Sequence, residues 1–310
     1  MNIADFNHVS VLLFESVESL NIKPDGIYVD CTAGGGGHSA AVLEKLNDDG
    51  RMVLIDRDPD AIAVVKERFK GDERITFVQD NFCNIKSILL NLGIKEVDGI
   101  IADLGVSSYQ LDTPERGFSF HHDAPLDMRM EKKGKSAKDV VNTYSKEALF
   151  KVINDYGEEK FAANIANNIV KYREKKPIET TFELAEIVSR SIPAKFKRDK
   201  NPARKTFQSI RIEVNAELLS VEKALPDMFD MLAVGGVMSI IGFHSLEDKI
   251  VKDFFNSLKN PCICPKDFPV CVCGNKPKAI IKSGTVKASE KELDDNKRSR
   301  SARLRTAVKL

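Results

Sequence analysis

The sequence predicts an α/β fold, with a parallel β-sheet covered by helices on both faces and interrupted by an all-helical insertion. Short apolar runs alternate with helical patterns through the first hundred residues, as in successive strand–helix–strand units. From about Pro114 to Arg211 only helical patterns follow one another, and apolar runs return afterwards. We therefore expect a discontinuous sheet domain, 1–113 and 212–310, and a helical domain, 114–211.

Four strands are predicted before the insertion, and polar residues follow several of them. The predicted strands are Ile27–Cys31, Met52–Ile55, Ile75–Val78 and Val97–Ala102, and the helices are Ser39–Leu46 and Ala61–Phe69. Sheets of this type bind ligands beyond the carboxyl ends of their strands. The acids and glycines at those ends are therefore expected to form a binding site.

Helical periodicity and one capping signal predict the insertion. Apolar residues recur at helical spacing in 148–156 and in 161–170, which ends before Pro177. Thr180 and Glu183 have the spacing of a capping box that opens a third helix. The segment is therefore expected to consist of helices alone.

Further helices and strands are predicted after the insertion. The pattern of 214–225 indicates one helix, and Ser245 with Asp248 indicates the capped start of another. The predicted late strands are Gly236–Phe243, Ala279–Lys282 and Leu304–Val308. These strands would complete the sheet.

The composition indicates a globular protein without a membrane-spanning segment. Of the 310 residues, 42% are hydrophobic and 30% are charged, with a formal net charge of +1. The start, Met1 to Asp5, has neither a basic stretch nor a long apolar run, so no signal peptide is expected. The most apolar stretch, Val234–Phe243, is too short to span a bilayer. We expect a cytoplasmic protein, and the sequence leaves open whether it is a monomer or a homodimer.

A glycine-rich loop follows the first predicted strand. The segment Asp30–His38 reads DCTAGGGGH and stands between a strand and a helix. Glycines there let the backbone turn sharply and approach a ligand closely. Asp56 ends the second strand, where a carboxylate can accept hydrogen bonds from both hydroxyls of a ribose. The two features together indicate a nucleotide-binding site.

Several ligands fit a loop of this kind. A glycine loop followed by an acid is also the signature of dinucleotide binding, but that pattern needs a third glycine where Ser39 stands. A P-loop is excluded because no Gly-Lys-Ser/Thr follows, and a plain tight turn is the structural alternative. Asp80–Phe82 after the third strand and Asp103 after the fourth suit contacts to an adenine and a methionine. These positions favour S-adenosylmethionine.

The segment that begins at the fourth strand resembles a known family. Ala102–Asp112 reads ADLGVSSYQLD, Glu115–Phe120 reads ERGFSF, and Pro125–Met130 reads PLDMRM. These motifs resemble the family of ribosomal RNA small-subunit methyltransferase H, also called MraW. The resemblance extends through His8 to Glu15, Asp30 to His38, Ile210 to Leu218, Phe243 to Asp248 and the late cysteines.

The resemblance implies a function and a set of site residues. It implies a Rossmann-like class I methyltransferase sheet, with the helical insertion as a substrate-recognition domain. It also implies N4-methylation of a cytidine in the decoding region of small-subunit (16S) ribosomal RNA, so that the partner is the small ribosomal subunit or its RNA. The cofactor contacts that it implies are Gly36, Gly37, His38, Asp56, Phe82, Asp103 and Gln110.

The residue that assists catalysis is left open by the sequence. An acid at Asp103 could bind the methionine end of the cofactor or could accept an N–H from the target base, and the first role is preferred because no Pro-Pro-aromatic motif follows. Ser107, Ser108 and His244 are further candidates on the substrate side. A carbon-5 reaction would need a cysteine nucleophile, for which Cys31 and Cys83 are poorly placed. Nitrogen methylation is therefore favoured.

Two basic runs and a cysteine cluster complete the candidate features. The basic residues are Lys195, Lys197, Arg198, Lys200, Arg204, Lys205 and Arg211 in the first run, and Lys297, Arg298, Arg300, Arg303, Arg305 and Lys309 in the second. Such runs favour RNA phosphates, with a solvated basic face as the alternative. Cys262, Cys264, Cys271 and Cys273 could hold zinc, but the Cys-x-Cys gap is short and thiols without metal are favoured.

Two other functions remain open at this point. An NAD-linked oxidoreductase would share the loop and the acid, and would be recognised by nicotinamide binding. A non-catalytic RNA-binding or ribosome-assembly protein would retain only the vestige of a cofactor site. The intact loop 34–37, together with Asp56 and Asp103, argues against such decay.

Overall fold

A computed structural model describes residues 10–197, 201–265, 270, 272–282 and 284–310. The chain divides into two compact units. The first comprises Met1–Gly105 and Leu218–Leu310, and the second comprises Val106–Glu217. In the described part of the chain, no helix has the length and apolarity that crossing a membrane requires.

The first unit contains a seven-stranded sheet. Its strands are β1 (Ile27–Asp30), β2 (Arg51–Asp56), β3 (Ile75–Gln79), β4 (Val97–Asp103), β5 (Leu232–Gly242), β6 (Ala279–Ile281) and β7 (Arg303–Lys309). Their order is β3-β2-β1-β4-β5-β7-β6. The strands from β1 to β5 pair in parallel, whereas β7 is antiparallel to both β5 and β6. The predicted α/β class is confirmed.

Helices surround the sheet and make up the second unit. They are α1 (Leu13–Ser19), α2 (Gly37–Leu43), α3 (Pro59–Arg68), α4 (Ile85–Asn91), α5 (Ser108–Asp112), α6 (Ala137–Thr143), α7 (Lys146–Asp155), α8 (Ala162–Arg173), α9 (Thr181–Ser191), α10 (Arg204–Asn215), α11 (Glu217–Met231), α12 (Ser245–Lys259) and α13 (Glu290–Asp295). The helices of the second unit are α5 to α10. Between Pro114 and Arg211 the described chain forms helices, short 3-10 turns and loops without a strand.

The sheet is buried on both faces, because successive residues of its central strands enter different cores. Val29 and Ile100 pack into one cluster, which also contains residues of α4, α11 and α12. Their neighbours Tyr28 and Ile101 pack into a second cluster, with residues of α2 and α3. Side chains alternate between the faces of a strand, so a sheet covered twice needs continuous apolar runs. These are the runs from which the strands are predicted.

The second unit has its own apolar core, and two of the motifs that carry the resemblance, 125–130 and 210–218, contact each other. The capping box of Thr180 and Glu183 opens α9 as predicted. Asn215, at the end of α10, accepts the N–H of Met130 at 2.9 Å and donates to the carbonyl of Met128 at 2.8 Å. The motifs 125–130 and 210–218 therefore contact each other through a buried amide.

Two sequence-based predictions after the insertion are wrong in detail. The single helix expected over 214–225 is two helices, because Ala216 adopts φ 48° and ends α10. The cap of α12 is His244 with Glu247, one residue earlier than the predicted pair of Ser245 and Asp248. Asp248 is used instead as the acceptor of two arginines of β7.

Candidate functional site

Three aspartates lie at the carboxyl edge of the sheet. Asp30 at the end of β1 is in register with Leu54 of β2 and Ile101 of β4. Asp56 and Asp103 stand two residues further along β2 and β4, so their side chains leave the same face of the sheet as Asp30. The parallel register therefore gathers the three carboxyl groups at one edge.

The glycine loop turns back over the end of β2. Gly34 and Gly36 have φ values of 50° and 76°, in the left-handed region that favours glycine. The N–H of Ala33 donates to the carbonyl of Ile55 at 3.0 Å, and that of Gly36 to the carbonyl of Ala33 at 2.7 Å. A Cβ on Gly36 would lie 2.7 Å from the ring of Phe69. Position 36 therefore accepts no side chain without displacement of that ring.

Asp56 connects the loop to the sheet. Its Oδ2 accepts the N–H of Gly34 at 2.9 Å, and its Oδ1 accepts the N–H of Asp58 at 2.8 Å. Burial raises the pKa of Asp56 to about 6, helped by the nearby Asp58 and Asp30 and opposed by the two backbone hydrogen bonds. Each carboxylate oxygen offers more than one lone pair, so it can still accept a hydroxyl of a bound ribose.

Asp30 and His38 hold the inner side of the loop. Asp30 is 2% exposed and accepts the N–H of Thr32 at 3.0 Å and the hydroxyl of Ser39 at 2.6 Å. Burial raises the pKa of Asp30 and lowers that of His38, while their mutual attraction opposes both shifts. The ring of His38 is buried, with Nε2 3.0 Å from the carbonyl of Val11. Its implied contact to a cofactor stays a prediction.

Asp103 has a buried oxygen without a hydrogen-bond partner in the described chain. Its backbone N–H donates to the hydroxyl of Thr32 at 2.7 Å, but its Oδ1 accepts nothing. Burial raises the pKa of Asp103 well above its usual range, and the nearby carboxyl groups of Asp30 and Glu247 raise it further. A buried polar atom without a partner costs about 1–3 kcal/mol, so it is a natural contact point for a bound ligand.

Glu247 is a site residue that the sequence reasoning did not single out. It is 1% exposed, and its Oε2 accepts the N–H groups of Phe243 at 2.9 Å and His244 at 3.3 Å. The Nδ1 of His244 accepts the N–H of Glu247 at 3.4 Å, and its Nε2 lies 3.1 Å from Glu247 Oε1. The spacing of a glutamate three residues after a capping residue was the signal available in the sequence.

The residues after β3 form a polar turn beside Asp56. Asp56 is in register with Gln79, the last residue of β3. Asn81 Oδ1 accepts the N–H of Cys83 at 3.0 Å, and Asn81 Nδ2 donates to the hydroxyl of Ser220 at 3.1 Å. Phe82 follows, half-buried against the core of the first unit. The turn therefore places Phe82 at the same edge of the sheet as Asp56.

Ser107 and Gln110 belong to the second unit. Ser107 caps α5, and its hydroxyl accepts the N–H of Gln110 at 3.2 Å. The side-chain oxygen of Gln110 accepts the N–H of Ser107 at 3.1 Å in return. This reciprocal capping box explains why both residue types stand there, and their implied roles toward cofactor and substrate stay predictions.

The carboxyl edge of the first unit suits a cationic nucleoside better than a dinucleotide. It brings together the acids Asp30, Asp56, Asp103 and Glu247, three of them at strand ends. S-adenosylmethionine carries a sulfonium and an ammonium group, whose positive charges favour the ionised forms of these acids, whereas the pyrophosphate of a dinucleotide would disfavour them. Asp56 would hold the ribose, the loop backbone would lie along the nucleoside, and Asp103 would meet the cationic methionine end.

Comparisons with known proteins bear on this interpretation of the site. A sequence model of the MraW methylase family matches residues 5–310. A protein of Clostridium botulinum (strain Kyoto / Type A2) named ribosomal RNA small subunit methyltransferase H is 54% identical over 308 residues, 99% of this chain and 100% of the relative. A protein of the same name from Lachnospira eligens is 53% identical over 307 residues, 98% of either chain. The solved structure of an rRNA methylase from Streptococcus thermophilus aligns with a TM-score of 0.44 and 11% identity, over 98% of this chain and 99% of that one.

The family match and the relatives cover nearly the whole chain, including both units. The motifs at 102–112, 115–120 and 125–130 that carry the resemblance lie within the matched range. The chain belongs to the MraW methylase family, which confirms the sequence-based prediction of a methyltransferase whose methyl donor is S-adenosylmethionine.

Proposed function

We propose that the protein methylates N4 of a cytidine in the decoding region of small-subunit (16S) ribosomal RNA, in the cytoplasm. Relatives at 54% identity are named as methyltransferases of small-subunit ribosomal RNA, which supports the substrate. The motifs from Ala102 to Met130 support the N4 position, since they resemble the family to which that reaction belongs. The small subunit or its RNA is then the partner.

The burial of Cys31 and the position of Cys83 are the observations that favour methylation at nitrogen over methylation at carbon 5. Methylation at carbon 5 of cytosine needs a thiolate that attacks the ring. Cys31, beside the glycine loop, is 1% exposed, and burial raises the pKa of its thiol well above the usual range. Cys83 lies in the turn after β3, with its Sγ 3.6 Å from Asn84 Oδ1. Burial therefore disfavours the thiolate of Cys31, and Cys83 follows β3, which β2 and β1 separate from β4 in the sheet.

Methylation at nitrogen requires the protein to align the target amine with the methyl group and to allow removal of a proton. The sulfonium of bound S-adenosylmethionine supplies an activated methyl group. The exocyclic amine of cytosine is a weak nucleophile, so it must be held in line with that methyl group at near-attack distance. Asp103 holds the cationic end of the cofactor through the oxygen that is otherwise unpartnered in the described chain. Because Nδ1 of His244 accepts the N–H of Glu247, Nε2 is the donor of the ring, and His244 is the candidate to donate a hydrogen bond to the target base.

The helical unit is the substrate-recognition part of this proposal. Lys195 and Arg204 are exposed, and Phe196 is 58% exposed with the ammonium of Lys195 5.0 Å from its ring centroid. The ammonium of Lys205 donates instead to the carbonyl of Glu158 at 2.6 Å. Basic side chains bind phosphates and exposed aromatic rings stack on unpaired bases, so this surface suits RNA. Arg211 does not contribute, because its guanidinium pairs with Glu217 through two contacts of 2.8 Å.

The second basic run is partly used inside the first unit. Arg303 and Arg305 both donate to Asp248, at distances from 2.7 to 3.1 Å. Lys309 donates to the carbonyls of Asp230 and Leu232. Lys297 and Arg300 of that run are exposed and are the residues to which we assign a role in RNA binding. Arg198 and Lys200 of the first run lie outside the described residues.

The test is methyl transfer from labelled S-adenosylmethionine to small subunits that lack the modification. We expect label in the RNA and none in ribosomal protein, and label in protein would contradict the proposal. For the helical unit, a Lys195→Glu/Arg204→Glu variant is compared with Lys175→Glu, which changes another exposed lysine of that unit. The double variant should lose affinity for the subunit and lower the log–log salt slope by about 2. Equal loss in the control would refute the assignment.

A further inference from the structure

Three sulfur atoms converge in the segment that joins α12 to β6. The Sγ atoms of Cys262, Cys264 and Cys273 all lie within 4.8 Å of one another. Those of Cys262 and Cys273 are 3.9 Å apart. The two residues are eleven positions apart in sequence, so the chain folds back to bring them together.

The separation of the sulfurs is that of two ligands on one metal ion. A disulfide would place the sulfurs about 2.05 Å apart. A zinc ion binds thiolates at about 2.3 Å in a tetrahedron, which puts neighbouring sulfurs about 3.8 Å apart. The 3.9 Å between Cys262 and Cys273 matches that tetrahedral edge. Three donors in this arrangement define one face of a zinc site.

The backbone around the sulfurs also suits thiolates. The N–H of Val272 donates to the Sγ of Cys264 at 3.3 Å, and such outer contacts stabilise and orient the ligands of a metal. Asn275 Nδ2 donates to the carbonyl of Pro261 at 3.0 Å and thereby ties the two arms of the segment together. The N–H of Lys278 donates to the carbonyl of Leu258 at 2.8 Å. The arms are therefore held together close to the sulfurs.

The apolar residues next to these cysteines are exposed, which also supports a metal site. Ile263 is 80% exposed and Val272 is 73% exposed, although each stands next to a cysteine of the cluster. Successive side chains of an extended chain face opposite sides, so Cys262 and Cys264 can turn their sulfurs to the side opposite Ile263. The hydrophobic effect alone would turn Ile263 and Val272 inward instead. Metal binding explains why sulfur faces the centre of the segment.

We propose that Cys262, Cys264 and Cys273 bind one zinc ion as thiolates and that the ion holds residues 260–264 and 272–278 together. This reverses the preference for metal-free thiols that the short Cys-x-Cys gap suggested, because Cys273 meets Cys262 and Cys264 across the segment. Cys271, the fourth cysteine of the predicted cluster, lies outside the described residues, and the proposal does not depend on it.

Metal analysis of the full chain, purified without chelators in the presence of zinc, tests the proposal directly. We expect about one zinc per chain, and less than a tenth of that in each of the variants C262S, C264S and C273S. The matched control is C83S, which removes a cysteine of the turn after β3 and should retain the zinc. Zinc below a tenth per chain in the reduced wild type, iron in its place, or full zinc in all three variants would overturn the proposal.

Cobalt(II) binding provides a second measurement that needs no variant to fold. Titration of the reduced, zinc-depleted wild type should produce thiolate-to-cobalt charge-transfer absorption that saturates at one ion per chain and disappears when zinc is added. Absence of that absorption would also overturn the proposal. Both readouts concern metal alone, so they are independent of methyl transfer and of the identity of the RNA.

Discussion

Replacement of Asp56 by asparagine separates the electrostatic role of its carboxyl group from its shape. In the ligand-free protein this group has a pKa of about 6, against an ordinary value of 3.8, chiefly because it is buried. A shift of roughly two units corresponds to about 3 kcal/mol between the two protonation states. Above about pH 6 the buried, ionised carboxylate therefore lowers the free energy of unfolding of the ligand-free protein.

The sign of the pH effect on stability depends on whether the folded or the unfolded chain binds the proton of Asp56 more tightly. Between about pH 4 and about pH 6 the folded protein holds a proton on Asp56 that the unfolded chain has lost, so stability falls as the pH rises through this window. The variant Asp56→Asn lacks this titration. Its free energy of unfolding, relative to that of the wild type, should therefore rise by about 3 kcal/mol from about pH 4 to about pH 7. The amide also places a donor against a backbone N–H, but that constant cost cancels in the pH-dependent difference.

Urea unfolding followed by far-ultraviolet circular dichroism at a series of pH values measures this difference. The control is Asp72→Asn, because the hydrogen bond from Arg74 lowers the pKa of Asp72. Its pH-dependent difference should therefore have the opposite sign, with stability lost at neutral pH and regained on acidification. A flat difference for Asp56→Asn would refute the burial argument.

The same variant should bind S-adenosylmethionine about 10–100-fold more weakly at about pH 8, since it loses charge-assisted hydrogen bonds to the ribose. In the wild type, hydroxyls that donate to Asp56 favour its ionised form, so affinity should increase as the pH rises through about 6. Isothermal titration calorimetry in buffers of different ionisation enthalpy would detect the released proton. Equal affinity of the two proteins at every pH would remove Asp56 from the site.

Three further outcomes follow from the structure. Asp103→Asn should weaken S-adenosylmethionine binding about 10-fold or more in calorimetry, and unchanged binding would exclude its cofactor role. Gly36→Ala should unfold at lower urea concentration than Gly71→Ala: both have positive φ, but a Cβ at 36 meets an aromatic ring and one at 71 meets nothing within 4 Å. Equal losses would show that backbone strain alone matters. Glu217→Gln should destabilise the protein by about 3 kcal/mol by leaving the largely buried guanidinium of Arg211 without its charged partner, and urea unfolding would reveal a negligible change if the pair were merely superficial.

The strands and the acids at their ends were predictable because one physical constraint shapes both. A parallel sheet buried on both faces needs unbroken apolar runs, and those runs end where polar residues such as Asp56 and Asp103 begin. The helix boundaries were less predictable. The break at Ala216 carries no proline or glycine, since an alanine in the left-handed conformation separates α10 from α11.

The partners of individual side chains could not be predicted from sequence spacing. Glu247 is near Asp103 because β4 pairs with β5, a contact between positions over a hundred residues apart. Likewise, the capping pair of α12 could be Ser245 with Asp248 or His244 with Glu247 on spacing alone. The sheet decides between them, because β7 places two arginines against Asp248.

The most direct test of the central claim is to identify the methylated atom. Small subunits lacking the modification are incubated with the protein and S-adenosylmethionine, digested to nucleosides, and compared by chromatography and mass spectrometry with N4-methylcytidine and its isomer 5-methylcytidine. The proposed function predicts that N4-methylcytidine alone is formed, at one position in the decoding region. Formation of 5-methylcytidine, or of a methylated base other than cytosine, would contradict it.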